Sequence, residues 1–197
     1  MTNIPLILAS SSPRRLELLS KINVTPNQII SPDIDETELK AELPRQVVLR
    51  LANAKAEKVA LKMDAAYILS ADTITALGRR ILPKALDDES VTACLKLLSG
   101  RSHNVYTGVT IIKKNSDEVI TRHRIVQTRI KFKRLTDKEI NLYVESKEGI
   151  GKAGGCSIQG FIESFVPCIN GSYSNILGLP LFETRNMLIS LGFFNNH

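Results

Sequence analysis

The chain has 197 residues, of which 43% are hydrophobic and 23% are charged, and its formal net charge is +6. A chain of this length buries roughly 70% of its unfolded surface without disulfides or metals, and this composition excludes a disordered or fibrous protein. Its longest apolar stretches, such as residues 158–169, contain polar residues or proline and fall short of about 20 residues, which excludes a membrane span.

The N-terminal segment and the cysteines indicate where the protein resides. The first ten residues lack the basic region of a signal peptide, so we expect a first strand and a cytoplasmic protein. The three cysteines are an odd number without Cys-x-x-Cys spacing, which argues against a disulfide framework and against a zinc site. We expect reduced, mostly buried thiols at Cys94, Cys156 and Cys168, with Cys94 in the core.

The positive charge favours an anionic partner, either nucleic acid or a nucleotide. The densest basic run, residues 129–134, alternates cations with apolar residues, which predicts an edge strand with its cations in solvent; the alternative is an RNA contact. Aromatic residues make up 5% of the chain and tryptophan is absent, so the side chains that stack on single-stranded bases are sparse. These observations argue against a nucleic-acid partner.

Strand and helix patterns alternate along the chain, which predicts an α/β fold. The first elements are a strand at 4–9, a helix at 13–20, a strand at 27–31, a helix at 44–63 and a strand at 66–70 leading into 71–73. There follow a hairpin strand at 77–82, a helix at 87–98, paired strands at 103–113 and 118–133, a helix at 136–146, a strand at 156–169 and a helix from 180 to a stop at 192. Because no linker separates them, we expect a single domain, residues 1–197, in which two lobes share a mixed sheet around a central cleft.

The segment Ser10-Ser11-Ser12-Pro13-Arg14-Arg15 lies between the first strand and the first helix. Ser12 as N-cap and Pro13 at the first helical position fix the start of the helix. Free N–H groups at such a start bind anions, and arginines in the first turn oppose the helix dipole unless an anion is present. This predicts a phosphate site; the alternative is that both arginines point to solvent.

A carboxylate and an acidic loop are candidates for metal binding. Asp72 follows an apolar strand, a position where sheets of this class place ligand-facing groups. Together with the loop residues Asp33, Asp35 and Glu36 it can supply oxygen ligands to Mg²⁺, which takes few carboxylates plus phosphate oxygens. The alternative for the acidic loop is ordinary solvent exposure.

Two lysines and one glutamine are candidates for binding the ligand itself. Lys55 lies between two alanines near the apolar face of the long helix, and Lys84 follows the hairpin. Either can clamp a phosphate or be solvated. Gln159 has a donor and an acceptor that suit a base edge, although a half-buried strand position explains it equally well.

Several common motifs are excluded. Residues 149–154 match the spacing Gly-x-Gly-x-x-Gly, but a predicted helix precedes them and a predicted strand follows, the reverse of a dinucleotide site. The same residues lack the Ser or Thr of a P-loop. The three histidines, His103, His123 and His197, show no triad or ligand spacing. Metal-assisted cleavage of a phosphoanhydride fits the remaining residues better.

Seven short motifs in order resemble the Maf family of nucleotide pyrophosphatases, nearly from end to end. They are Ser-Pro-Arg-Arg…Glu-Leu-Leu at 12–19, Asp-Glu at 35–36, Leu-Ala-x-x-Lys-Ala at 51–56, Ala-Asp-Thr at 71–73, Ser-Gly-Arg-x-His-x-Val-x-Thr-Gly-Val at 99–109, Lys-Ala-Gly-Gly-x-x-Ile-Gln-Gly at 152–160 and Gly-Ser-Tyr-Ser-Asn leading to Gly-Leu-Pro-Leu at 171–181. The resemblance implies a two-lobed fold similar to the inosine triphosphate pyrophosphatases, a requirement for Mg²⁺ or Mn²⁺, a homodimer, and release of a nucleoside monophosphate and pyrophosphate.

The resemblance also implies roles for individual residues. Asp72 is the expected general base or metal-bound orienter of water, and Glu36 its metal partner. The expected substrate-binding residues are Ser10, Arg14, Lys55, Thr73, Lys84 and Gln159. The forms of these motifs are similar to the branch that prefers dTTP and UTP over 7-methyl-GTP.

Three positions depart from the family pattern. Gly151 stands where the family usually has Asp, Cys156 replaces an aromatic residue, and Ala85 replaces a proline. The first two bear on base selection more than on catalysis. The alternative function is a non-catalytic nucleotide or nucleic-acid binding protein acting in septum formation.

Overall fold

In the computed structural model, residues 4–195 are described, and strands and helices alternate along them as predicted. The strands are β1 (Leu6–Ala9), β2 (Gln28–Ile29), β3 (Ala66–Leu77), β4 (Arg80–Leu82), β5 (Ser102–Lys114), β6 (Val119–Lys131) and β7 (Cys168–Asn170). The α-helices are α1 (Pro13–Ser20), α2 (Pro44–Ala60), α3 (Asp88–Leu98), α4 (Asp137–Glu145), α5 (Tyr173–Ile176) and α6 (Leu181–Ser190). Two 3₁₀ helices lie at Phe161–Phe165 and Phe193–Asn195.

Within the described residues, seven strands form one mixed sheet in the order β2-β1-β3-β5-β6-β7, with β4 attached to β3. β1 runs parallel to β2 and β3, whereas the other pairs are antiparallel. The predicted α/β class and mixed sheet are therefore confirmed. The division into two lobes stays a prediction.

Alternating residues of β3 build a core on each face of the sheet. Tyr67 and Leu69 belong to the larger cluster, which also contains apolar residues of α1, α3, α4 and α6. Ile68 faces the opposite side and packs in a smaller cluster with Ala56 and Val59 of α2. The period of two therefore sends Asp72 to the α2 face and Thr73 to the other.

The sheet leaves a gap beside the middle of β3. Pairing with β1 stops at Ser70, and pairing with β4 begins at Thr75. Residues 71–74 consequently have a sheet neighbour on one side, β5, and loops approach them on the other. Asp72 lies in the middle of the twelve-residue β3, not at a strand end as predicted, although it does follow the last β1 pair.

The predicted strand at 156–169 is wrong. Most of it forms turns and the 3₁₀ helix, and the strand β7 is confined to Cys168–Asn170. The buried apolar residues Ile158, Ile162 and Phe165 are spaced by four and three, a helical period and not the period of two of a strand. Gly160 and Pro167 also disfavour a continuous strand here.

The prediction for residues 129–134 is right about the exposed cations but wrong about an edge position in the sheet. Exposed Arg129 and Lys131 do alternate with buried Ile130 and Phe132, but residues 129–131 pair with β7 as well as with β5. The basic stretch is therefore flanked on both sides. No helix among residues 4–195 is long and apolar enough to cross a membrane.

The three cysteines are free thiols, as predicted. Cys94 is buried in α3 and Cys156 is half-buried, whereas Cys168 is exposed, so the expectation of mostly buried thiols fails at one position. His197 lies outside the described residues.

Candidate active site

A cavity of about 550 Å³ opens at the gap beside β3. This volume suits a small-molecule ligand. Charged and hydroxyl side chains line one part of it, and apolar side chains line another. The polar group comprises Ser11, Ser12, Arg14, Arg15, Glu36, Glu38, Lys55, Asp72, Thr73, Thr75, Lys84 and Lys152.

A lysine bridges two carboxylates in this cavity. The Nζ atom of Lys55 lies 2.6 Å from Oδ1 of Asp72 and 2.7 Å from Oε1 of Glu36. Lys55 follows Leu51 by four residues and precedes Val59 by four, so it occupies the buried face of α2 and points at the sheet. The helical period of α2 and the alternation of β3 together create this contact.

Burial differs among the three groups. The side chains of Lys55 and Asp72 are 9% and 10% exposed, whereas that of Glu36 is 48% exposed. Partial burial by itself opposes ionisation of Glu36, but the hydrogen bond and charge of Lys55, with Lys84 and Arg15 nearby, outweigh it and lower the pKa of Glu36. Glu36 is therefore a carboxylate at neutral pH.

The start of α1 faces the same cavity. Ser12 is the N-cap and Pro13 the first helical residue, as predicted, but the Ser12 side chain makes no capping hydrogen bond. Arg14 is half-buried and lines the cavity beside Ser11 and Ser12. An uncapped helix start next to an arginine is suited to an anion.

Arg15 holds the loop in front of α1. Its Nε donates to the carbonyl of Gly178 at 2.9 Å, and its Nη1 donates to Oγ of Ser10, also at 2.9 Å. The Ser10 hydroxyl accepts from the backbone N–H of Ser12 as well, at 3.2 Å. Ser10, a predicted substrate ligand, thus contacts the protein itself and is 3% exposed. Burial lowers the pKa of Arg15, while the charges of Asp72 and Glu36 favour its cation.

A network of hydroxyl and amide groups holds the part of the cavity wall that contains Thr73. The Oγ1 atoms of Thr73 and Thr107 lie 2.9 Å apart, and Thr107 donates to the carbonyl of Asn175 at 3.0 Å. The buried amide of Asn175 donates to the carbonyl of Val105 and to Oγ1 of Thr128. This network explains the Gly-Ser-Tyr-Ser-Asn motif, because it anchors α5 and the following Gly178 carbonyl that Arg15 binds.

The glycine-rich loop packs against the segment after β4. Lys84 pairs with Ala153 as an isolated bridge, the N–H of Gly151 donates to the carbonyl of Ala85, and the N–H of Ala85 donates to the carbonyl of Lys152 at 3.0 Å. A proline at position 85 has no N–H to make this last bond. The departure from the family pattern at Ala85 therefore adds a loop contact.

The structure brings together six of the eight predicted site residues: Arg14, Glu36, Lys55, Asp72, Thr73 and Lys84 line the cavity. The other two differ. Ser10 is buried beneath the loop and does not line the cavity. Gln159 is exposed to solvent and does not line the cavity either.

Sequence reasoning missed two cavity residues as site candidates, His103 and Lys152, whereas Arg15 belongs to the segment predicted to bind phosphate. The signal for His103 was its place in a row of inward-facing residues at alternating positions 103, 105 and 107, which are all buried on β5. For Lys152, burial and the neighbouring charge of Arg14 lower the pKa.

Comparisons with known proteins identify the family of this chain. A family model described as Maf-like protein matches residues 5–191. A relative from Rickettsia africae (strain ESF-5), named nucleoside triphosphate pyrophosphatase, is 58% identical over 192 residues, which cover 97% of this chain and 89% of the relative. A relative of the same name from Rickettsia felis is 57% identical, covering 97% and 95%.

Among solved structures, the Staphylococcus aureus Ham1 protein matches with a TM-score of 0.44 and 14% identity. The match covers 73% of this chain and 98% of that one. This likeness is too low to bear on the fold or on the function.

Proposed function

The chain belongs to the Maf-like protein family, and we propose that it hydrolyses nucleoside triphosphates, of the dTTP and UTP type, to the monophosphate and pyrophosphate. The observation that carries the proposal is the Lys55 bridge between Asp72 and Glu36, which places two carboxylates and a cation beside the start of α1. Relatives that are 56–58% identical bear the name nucleoside triphosphate pyrophosphatase, which supports the reaction without specifying the base.

The triphosphate would lie between the start of α1 and the segment after β4. Arg14 lies at the helix start, and Lys84 and Lys152 line the cavity from the segment after β4 and the glycine-rich loop that pairs with it. These cations and the helix N–H groups would neutralise the phosphate charge that develops as the α–β phosphoanhydride bond breaks. Arg15 supports this arrangement through Ser10 and Gly178.

The two carboxylates suit a divalent cation. Within residues 4–195, no group of three or more histidine, cysteine or acidic side chains forms a metal-binding cluster. Mg²⁺ does not need one, because it takes one or two carboxylates and completes its shell with water and substrate phosphate oxygens. Glu36 and Asp72 are the residues that would hold Mg²⁺ or Mn²⁺, which would supply charge neutralisation on the phosphates.

Asp72 would act on water. Its carboxylate accepts a proton as the water oxygen bonds to a phosphorus atom flanking the α–β bridging oxygen, and the bond from that phosphorus to the bridging oxygen breaks. The products are a nucleoside monophosphate and pyrophosphate. Lys55 holds the Asp72 carboxylate in place from 2.6 Å.

Substrate preference and assembly complete the proposal. Thr73 lines the cavity next to Asp72 and would contact the nucleoside. Gln159 is exposed, so a role in base selection requires the 149–160 loop to turn it inward.

The homodimer implied by the family resemblance is tested by analytical ultracentrifugation of the purified protein.

The test is a turnover panel. Purified protein with Mg²⁺ or Mn²⁺ is given dTTP, UTP, CTP and methylated nucleotides, and pyrophosphate release is followed with and without EDTA. We expect metal-dependent turnover that is fastest for dTTP or UTP. Faster turnover of CTP or of a methylated nucleotide would contradict the substrate class, and nucleotide binding without turnover of any of them would favour a non-catalytic role.

A further inference from the structure

Part of the cavity is an apolar chamber, formed by residues of the larger core cluster on the opposite side of β3 from Asp72. Its walls come from β5, β6, the residues before and within the first 3₁₀ helix, and the end of α5. The apolar residues that line it are Val105, Ile130, Phe132, Ile158, Ile162, Ile176 and Leu177. Such a lining suits the faces of a nucleobase and does not suit a phosphate.

One imidazole lies in the wall of this chamber. His103 of β5 lines the cavity, is 2% exposed and contacts Phe132 edge to face, with ring centroids 5.1 Å apart. Its Nδ1 atom is buried and has no hydrogen-bond partner among the residues that the structure describes. A buried polar atom without a partner destabilises the fold, so its presence calls for an explanation.

The protonation state of the His103 imidazole limits the chemical groups that it can bind. Burial lowers the pKa of His103 to about 4, so the ring is neutral at physiological pH. A neutral ring has one donor and one acceptor and carries no charge for a phosphate. The amide-like edge of a nucleobase offers matching groups.

The pairing of β3 with β5 sets the distance between His103 and the reacting groups. Asp72 pairs with Gly108 on β5, and His103 is five residues further along that strand, about 17 Å at 3.4 Å per residue. Thr73 and Thr75 lie between them in the cavity wall. His103 and Asp72 face opposite sides of the sheet, so a nucleotide whose phosphates meet Asp72 would extend its base into the chamber around the open edge of β3 at residues 71–74.

We propose that His103 is a specificity-determining residue, whose Nδ1 forms a hydrogen bond with the edge of the substrate's nucleobase in the apolar chamber. This inference rests on the proposed function, since it places the base of the same nucleotide. It adds to the expected roles of Thr73 and Gln159 in substrate selection a residue that the sequence did not indicate.

The test compares ligands with and without a base. Calorimetry with Mg²⁺ measures binding of ribose 5-triphosphate and of nucleotides whose α–β bridging oxygen is replaced by methylene, carrying uracil, thymine, cytosine or guanine. The variants are His103→Phe, which keeps an aromatic ring against Phe132, and His103→Asn, which keeps a polar group near the position of Nδ1. His123→Phe, at an exposed histidine of β6, is the matched control.

We expect His103→Phe to weaken the tightest-binding nucleotide by about tenfold to a hundredfold and to leave ribose 5-triphosphate unchanged. His103→Asn should recover part of the loss, and His123→Phe should bind like the wild type. Equal weakening of both ligand types, or none, would overturn the inference. If the wild type binds the analogues in this pattern but releases no pyrophosphate from the parent nucleotides, the proposed function fails while the role of His103 stands.

Discussion

The ammonium of Lys55 lies 2.6 Å from Oδ1 of Asp72, a contact between the buried face of α2 and the middle of β3. Because Lys55 also contacts Glu36, one cation compensates two carboxylates in this structure. A divalent cation and a triphosphate brought to the same place would add charges of both signs around this group. Substitutions of Lys55, Asp72 and Glu36 are therefore the most informative test of how the site works.

Replacing Asp72 by Asn should remove the proton acceptor while keeping the size of the side chain. We expect kcat for pyrophosphate release to fall roughly 10²–10⁴-fold, the usual contribution of a general base. Asp64→Asn, at an exposed aspartate just before β3, is the matched control and should keep full activity. Retention of kcat in Asp72→Asn, with an unchanged thermal midpoint, would remove Asp72 from the role of base.

Replacing Lys55 by Met should leave Asp72 as an uncompensated, largely buried carboxylate. Breaking such a pair costs about 3–5 kcal/mol when both partners are fully buried, and we expect about 3 kcal/mol here from urea unfolding. The double variant Lys55→Met with Asp72→Asn should recover much of this loss, because the orphaned charge is gone. Additive losses in the double variant would show that the two side chains do not interact.

The sequence predicts much of this arrangement, for identifiable reasons. The period of α2 places Lys55 near an apolar face, and the capping box of Thr136 and Glu139 correctly starts α4. The contact of Lys55 with Asp72 could not be predicted, because it depends on how α2 crosses β3. Likewise, the placement of Asp72 within a long strand depends on β5, which pairs with β3 well beyond the last β1 pair.

The error at 156–169 has a different origin. An apolar composition indicated a strand, although the buried residues there follow a helical spacing. The N–H of Phe161 donates to Glu148, a contact distant in sequence that helps to fix the start of the 3₁₀ helix. Long-range contacts of this kind are not visible in a local pattern. The alternation along β5 indicates that His103 faces inward, but not that a cavity reaches it.

Gly108 on β5 is required by the approach of α2. A Cβ atom at this position would lie 2.3 Å from the carbonyl oxygen of Val48, which belongs to the helix backbone. We expect Gly108→Ala to lower the free energy of unfolding by about 1–3 kcal/mol and to reduce activity, since α2 carries Lys55. Gly151→Asn is the control, because that glycine has φ +74° and open space, and Asn tolerates this conformation. Equal stability of Gly108→Ala and wild type would contradict the close packing.

The buried His103 should make stability depend on pH. Its pKa is lowered from 6.5 to about 4 in the folded chain, so between these values the unfolded chain binds a proton that the folded chain does not. The free energy of unfolding should therefore fall as pH is lowered from 6.5 to 4, by about 3 kcal/mol from this group.

The variant His103→Phe isolates this contribution. Urea unfolding at several pH values should give a shallower decline for His103→Phe than for the wild type between pH 6.5 and 4. Parallel curves for the two proteins would mean that His103 is protonated alike in the folded and unfolded chains.

The position of bond cleavage tests the central claim most directly. Phosphorus NMR of wild-type protein turning over dTTP or UTP with Mg²⁺ identifies the products without coupling enzymes. The proposed activity predicts nucleoside monophosphate and pyrophosphate in equal amounts, and loss of both signals in Asp72→Asn. Formation of the nucleoside diphosphate and orthophosphate would contradict it.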